Sequence, residues 1–89
     1  MSIARVIHVS GVTGNPPPDA LKAVEAIRAA DGCEHMYALR DGQTDQGLGI
    51  VIWRDQAALD AASEVIEAAR RVSTLTVESM KVYDVVAER

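Results

Sequence analysis

Histidine is the side chain best suited to proton transfer near neutral pH, and this chain contains two. His8 stands between Val6 and Ser10 in an alternating run. Because an unperturbed imidazole has a pKa of about 6.5, His8 is the candidate general base. The alternative is a strand histidine that is hydrogen-bonded to Ser10 or to another neighbour and takes no part in chemistry. His35 is expected at the surface of a strand.

Two tyrosines and one tryptophan are the other residues able to hold an aromatic ligand. Tyr37 and Tyr83 each carry a ring with a hydroxyl that can orient a phenol or a quinone. Tyr37 is the candidate catalytic partner of His8, and Tyr83 is a candidate ligand contact. The alternative for both is ordinary packing with the hydroxyl in solvent. Trp53 ends an apolar run and is expected to anchor packing against a helix, with ligand contact as its other role.

The single cysteine excludes an intrachain disulfide and leaves zinc without its usual ligand cluster. No basic residue lies beside Cys33 in the sequence to stabilise a thiolate, so we do not expect a nucleophile there. Two histidines without a nearby set of carboxylates do not predict a metal site. The glycines at 11 and 14 are too sparse for a phosphate-binding loop. We therefore predict neither a metal nor a cofactor.

Length and charge limit the remaining classes. The chain of 89 residues predicts a single domain over 1–89. A formal net charge of −4 argues against a nucleic-acid partner, which would require a basic surface. No apolar run approaches the roughly 20 residues of a membrane span, and the first residues lack a signal-peptide pattern. We expect a soluble, cytoplasmic domain.

Hydrophobic periodicity predicts four strands and two helices. The strands are expected over 3–12, 33–40, 48–53 and 75–86, where β-branched residues are frequent. One helix is expected over 18–31, after a proline-rich turn, with Gly32 as its left-handed cap. The second helix is expected to begin after Asp55 as N-cap and to carry one apolar stripe from Ala58 to Ala69. The polar segment 41–47 predicts a hairpin loop.

This βαββαβ order predicts an α+β, ferredoxin-like fold. Such a fold has a four-stranded antiparallel sheet with both helices on one face. Right-handed crossovers place the first and third strands in the middle of the sheet.

The third strand carries apolar residues on both of its faces. Leu48, Ile50 and Ile52 point to one face, and Val51 and Trp53 point to the other. Because two helices cover only one face, an apolar face is left uncovered, and we expect it to carry Val51 and Trp53.

The first strand refines this expectation. Ile7 and Val9 are predicted to face the helices, which leaves Val6, His8 and Ser10 on the uncovered side. An apolar surface with a few polar groups is the composition of a ligand cavity. We therefore expect a homodimer whose two sheets face each other and enclose a cavity for a small apolar or aromatic ligand.

Three segments carry a resemblance to a known family. They are GCEHMYALRD over 32–41, IVIWRDQAAL over 50–59 and VYDVV over 82–86. Together they resemble the antibiotic-biosynthesis-monooxygenase-like proteins, which form dimeric α/β barrels. The resemblance implies this fold, a homodimer and an activity within a superfamily of cofactor-free oxygenases, haem-degrading enzymes and isomerases.

The haem-degrading branch of that family has a residue pattern that this chain does not share. That branch uses an asparagine on the first strand and a tryptophan and a histidine on the second helix. By spacing, His8, Ala62 and Arg71 fall near those three positions, so two of the three types are absent. Haem degradation is therefore not expected.

Two functions remain open. The first is a cofactor-independent monooxygenase or isomerase that acts on a small aromatic or quinone-like substrate. His8 and Tyr37 would be catalytic, and the ligand contacts would be Val6, Ser10, Val51, Trp53 and Tyr83. The second is a non-catalytic homodimer of the same fold that binds a small ligand or has a structural role.

Overall fold

A computed structural model describes residues 1–12 and 18–88. It contains seven elements: β1 (Ile3–Ser10), α1 (Pro18–Arg28), β2 (Cys33–Arg40), β3 (Gly47–Trp53), α2 (Gln56–Ala61), α3 (Ser63–Val72) and β4 (Thr76–Asp84). The predicted strands and the first helix are confirmed, with ends that differ by at most three residues. The predicted proline-rich turn at 13–17 lies outside the described residues.

The four strands form one antiparallel sheet in the order β2-β3-β1-β4. β1 and β3 are therefore the central strands, as predicted. This strand order, with helices in both crossovers, is the ferredoxin-like α+β arrangement. β2 and β4 are the edge strands, and every residue of β4 is exposed in the single chain.

The core lies between the sheet and the helices. Trp53 is completely buried, because α2 and α3 pack over the end of β3. The buried cluster comprises Ile3, Cys33, Val51, Trp53, Ala58, Leu59, Ala62 and Ile66. The small alanines on α2 and at its end let the helix backbone lie close to the indole ring.

The prediction that Val51 and Trp53 lie on the uncovered face is wrong. Val51 is 5% exposed and Trp53 is 0% exposed, within the core on the helix-facing side. The cause is the register with β1, which pairs Trp53 with Ile3 and Val51 with Arg5. Odd-numbered residues of both strands therefore share the helix-facing side, and the even-numbered residues of β3 take the other.

The second helical segment is divided in two, where one helix was predicted. Ala62 has φ −88° and ψ 4° and separates α2 from α3. Its N–H lies 3.1 Å from the carbonyl oxygens of both Ala58 and Leu59, so the helix tightens there into a three-residue turn. The predicted N-cap is confirmed, since Asp55 Oδ1 accepts from the N–H of Ala58 at 2.8 Å.

Gly32 joins α1 to β2 in the left-handed conformation that the sequence predicted. Its φ is +87°, and a side chain there would overlap Cβ of Ala58. Its carbonyl accepts from the N–H of Arg54 at 2.7 Å, which fixes the start of β2 against the end of β3.

Replacing Gly32→Ala should lower the free energy of unfolding by about 2 kcal/mol or more, because it adds left-handed strain to a core overlap. The matched control is Gly42→Ala, since Gly42 has open space around its Cα and no positive φ. The control should change stability by less than about 0.5 kcal/mol. Urea unfolding of both variants measures the difference, and equal effects would contradict this account of Gly32.

Candidate functional site

The face of the sheet opposite the helices is uncovered in the single chain, and we call it the open face. The paired registers assign its members. They are Ala4, Val6, His8, Ser10, His35, Tyr37, Leu39, Leu48, Ile50, Ile52, Ser79, Lys81 and Tyr83. Five of the seven predicted site residues are among them. The other two, Val51 and Trp53, lie behind the sheet and do not line this face.

The open face has an apolar centre and a more polar rim. Val6 and Ile50 pair across the two central strands, and Ala4 pairs with Ile52 one step along. The tyrosines lie on the edge strands, where Tyr37 is 52% exposed and Tyr83 is 46% exposed. An apolar centre within a polar rim is the arrangement found at protein interfaces.

His8 is exposed on the open face of β1, as predicted. Its cross-strand partners are Leu48 on β3 and Ser79 on β4. Among the described residues it forms no side-chain hydrogen bond and no ion pair. Both ring nitrogens are therefore available to a ligand or to a partner, as a general base requires.

Tyr37 is not brought next to His8. It lies on β2, two strands away from β1. Its cross-strand partner is Ile50 of β3, which in turn pairs with Val6 of β1. With ordinary strand spacings, the two Cα atoms are about 12 Å apart. A single small polar group does not contact both side chains within one chain, so the expected pair is spread across the open face.

The tyrosine rings on the edge strands each contact a side chain two residues away on the same strand. The ring of Tyr37 stacks on His35, with centroids 6.4 Å apart and an interplanar angle of 22°. Lys81 Nζ lies 5.1 Å from the ring centroid of Tyr83. Lys81 was not among the predicted site residues, although its spacing of two from Tyr83 puts both on one face of a strand.

Ser10 has a partner on the neighbouring strand. Its hydroxyl donates to Oε1 of Glu78 at 2.5 Å, and Glu78 is the extra residue of a β-bulge in β4. The hydroxyl proton is therefore engaged, and only the oxygen lone pairs of Ser10 remain to accept from a ligand.

The described residues form two open grooves on the helix side that the sequence did not indicate. One, of about 500 Å³, lies between α1 and β2 and is lined by Val24, Glu25, Arg28, Ala29, Met36 and Ala38. The other, of about 330 Å³, lies between α1 and α3 and is lined mainly by alanine. Neither contains a predicted site residue.

Cys33 is a buried thiol beneath α1. Burial raises its pKa, and Arg28, which donates to the Cys33 carbonyl at 3.0 Å, opposes that shift only in part. The thiol is therefore protonated at neutral pH, in keeping with the expectation that it is not a nucleophile. Within residues 1–12 and 18–88, no three potential metal ligands come together. None of the helices in that part of the chain is long and apolar enough to span a bilayer.

The sheet order and the one-sided helices define the ferredoxin-like fold seen in antibiotic biosynthesis monooxygenase-like proteins of known structure. SnoaB, a cofactor-independent oxygenase from Streptomyces nogalater, matches with a TM-score of 0.71 and 18% identity, over 98% of this chain and 95% of that one. A provisionally assigned antibiotic biosynthesis monooxygenase from Chloroflexus aurantiacus matches with a TM-score of 0.71 and 12% identity, over 100% and 97%.

A third structure with this fold has different chemistry. The haem degrader MhuD from Mycobacterium tuberculosis matches with a TM-score of 0.65 and 15% identity, over 98% of both chains. No protein-family model matches the sequence, and no curated protein is similar enough to count as a relative. The fold is thus shared with several activities, and the site must decide among them.

We expect the Cys33 thiol to react slowly with Ellman's reagent in the folded protein. The side chain is buried and its pKa is raised, so little thiolate is exposed near pH 8. Labelling should be at least about tenfold slower than in the same protein unfolded in urea. The reaction is followed by absorbance, and equal rates in the two states would contradict this description of the thiol.

Proposed function

We propose that this chain forms a homodimer in which two open faces pack against each other. The support is the apolar centre of the open face, where Val6, Ile50 and Ile52 have no covering layer from the described part of the chain. Large apolar patches of this kind mark association surfaces in soluble proteins. The tyrosines on the edge strands would lie at the margin of the interface.

We further propose that the dimer is a cofactor-independent monooxygenase for a small aromatic substrate of the anthrone or dihydroquinone class. The observation that carries this proposal is the likeness of the whole fold to SnoaB, described as a cofactor-independent oxygenase. A reducing compartment such as the cytoplasm suits a chain whose one cysteine is a buried free thiol.

The proposed oxygenation requires a base and a cavity that excludes water. His8 removes a proton from the activated CH₂ group of an anthrone, and the carbanion passes one electron to O₂. The resulting radicals combine into a C–O bond and form a peroxide. Loss of the second C–H proton breaks the O–O bond, leaving a carbonyl in the substrate and one molecule of water. A dry cavity also keeps bulk water from protonating the carbanion before it meets O₂.

The remaining site residues orient the substrate. Val6 would contact its apolar rings, and Ser10 would accept a hydrogen bond from a phenol. Tyr37 and Tyr83 would act from the rim, at a distance from His8 that suits the far end of a fused-ring system. Val51 and Trp53 have no place in this cavity, because they lie on the helix-facing side.

The second candidate is a homodimer that binds a small ligand, or has a structural role, without catalysis. It is favoured by the wide spacing of the polar groups on the open face. His8 has an aliphatic residue and a serine as cross-strand partners, and none of the described carboxylates is hydrogen-bonded to it. A histidine without an orienting group is a weaker base catalyst.

The dimer should be broken by charge on the open face. Leu39→Lys and Tyr83→Lys change side chains that are half exposed in the single chain, so each variant should fold. Light scattering should give twice the 9.5 kDa chain mass for the wild type and a monomer for the combined variant. Ala57→Lys, an exposed change on α2, is the control and should leave the dimer intact. A monomeric wild type would contradict the interface.

Oxygen consumption tests the catalytic role of His8. With anthrone as substrate, the protein should consume one O₂ for each quinone formed, above the uncatalysed rate. His8→Ala should lower that excess rate by about 100-fold or more, since a general base is lost. His35→Ala removes the other histidine of the open face and should stay within about twofold of wild type. Binding of anthrone without O₂ consumption would favour the non-catalytic dimer.

A further inference from the structure

Arg5 is a charged residue on the helix-facing side of the central strand β1. On that side of β1 it lies between Ile3 and Ile7. Its cross-strand partners are Val51 of β3 and Val82 of β4. Val51 is 5% exposed, whereas Val82 is 37% exposed. Arg5 therefore stands at the border where the helix layer stops covering the sheet.

The guanidinium of Arg5 makes no ion pair in the part of the chain that the structure describes. Its guanidinium carries five N–H donors, yet it forms no hydrogen bond or ion pair with those residues. The nearby Glu67 pairs with Arg70 at 3.2 Å. Asp84 shares the same side of the sheet and makes no ion pair with Arg5.

The electrostatic surroundings of Arg5 agree with this isolation. Burial lowers the pKa of the Arg5 guanidinium, Arg70 lowers it further, and Glu67 opposes both effects from a distance. Arginine keeps its proton under all ordinary conditions, so the positive charge remains. A partly desolvated cation next to another cation is an attractive position for an anion.

A second unsatisfied donor lies beside Arg5. Trp53 is completely buried, and its Nε1–H meets no acceptor among the described residues. Because Trp53 pairs with Ile3, it is the diagonal neighbour of Arg5 on the same side of the sheet. Diagonal neighbours are about 7–8 Å apart, which long and aromatic side chains can bridge. Two donors without an acceptor among the described residues therefore lie on the same side of the sheet, in adjacent rows.

The surface next to these donors is apolar. Val82 and Met80 follow each other along the helix-facing side of β4 and are 37% and 51% exposed. A hydrocarbon body laid on them would bring one end of a ligand to Arg5. The combination fits a molecule with a flat apolar part and an anionic edge, which a guanidinium recognises through two parallel hydrogen bonds.

We propose that Arg5 anchors an organic anion, an aromatic carboxylate or phenolate, whose ring system lies over Met80 and Val82. This site lies on the side of the sheet opposite His8. It goes beyond the proposed oxygenase and does not depend on it.

The probes are 2-naphthoate and its neutral counterpart 2-naphthamide, titrated by calorimetry. The wild-type protein should bind the naphthoate at least about tenfold more tightly, since only the carboxylate pairs with the guanidinium. Arg5→Gln should remove that preference, and Arg5→Lys should retain part of it, because lysine keeps the charge but loses the fork. Arg40→Gln removes an equal charge from the far strand β2 and should leave the preference unchanged.

The indole of Trp53, a diagonal neighbour of Arg5, reports on binding at this side of the sheet. Trp53 is the only tryptophan, so its Nε1–H gives a single indole cross-peak in a ¹⁵N correlation spectrum. That peak should shift with naphthoate in the wild type and in Arg40→Gln, and stay fixed in Arg5→Gln. If Arg5→Gln does not fold, Glu67→Gln provides the test, since losing the competing carboxylate should tighten naphthoate binding severalfold.

Several results would overturn the proposal. They are equal affinity for the two probes, no binding of either, equal loss in Arg5→Gln and Arg40→Gln, or an indole peak that does not respond in the wild type. Leu39→Lys, on the open face, should leave naphthoate binding as it is, and a loss there would place the probe on the wrong face. Failure of the oxygenase assay with intact naphthoate binding would reject only the proposed activity.

Discussion

The central constraint on this protein is a sheet that is apolar on both faces and has helices on only one. On the helix side, Trp53 is fully buried beneath α2 and α3, whereas Leu39 on the other side is half exposed. The helices of the described residues all lie on one side of the sheet, and these residues supply no second covering layer. Covering that side would gain hydrophobic free energy, and the proposed quaternary structure and cavity both rest on this one surface.

The sequence was most informative where apolar and polar residues alternate. In β1 the alternation of Ile7 and Val9 with His8 and Ser10 assigned both faces correctly. In β3 nearly every residue is apolar, so composition contains no information on which side meets the helices. Only the register with β1, which pairs Trp53 with Ile3, resolves the choice. The division at Ala62 had no signal, since neither glycine nor proline stands there.

For the candidate site, the sequence predicted which face of the sheet a residue lies on better than it predicted the distances between residues. It placed His8 and Tyr37 on one side of the sheet, but their separation depends on strand order and stagger, which are long-range properties. Arg5 is the opposite case. The sequence analysis did not single it out, although its odd-numbered position among Ile3, Ile7 and Val9 puts a charge on the helix-facing side, where an inward charge on a central strand calls for a partner.

The bulge in β4 affects how copies of this chain can join. Ser79 pairs with His8 and Val77 with Val9, so Glu78 falls outside the regular ladder. An edge strand with evenly spaced free N–H and C=O groups is a template on which further strands polymerise. Here the extra residue interrupts that spacing and twists the strand locally, and Lys81 adds a charge beside it. This irregularity disfavours the growth of fibrils by addition of strands at the edge. Association of copies into a closed assembly is not hindered by it.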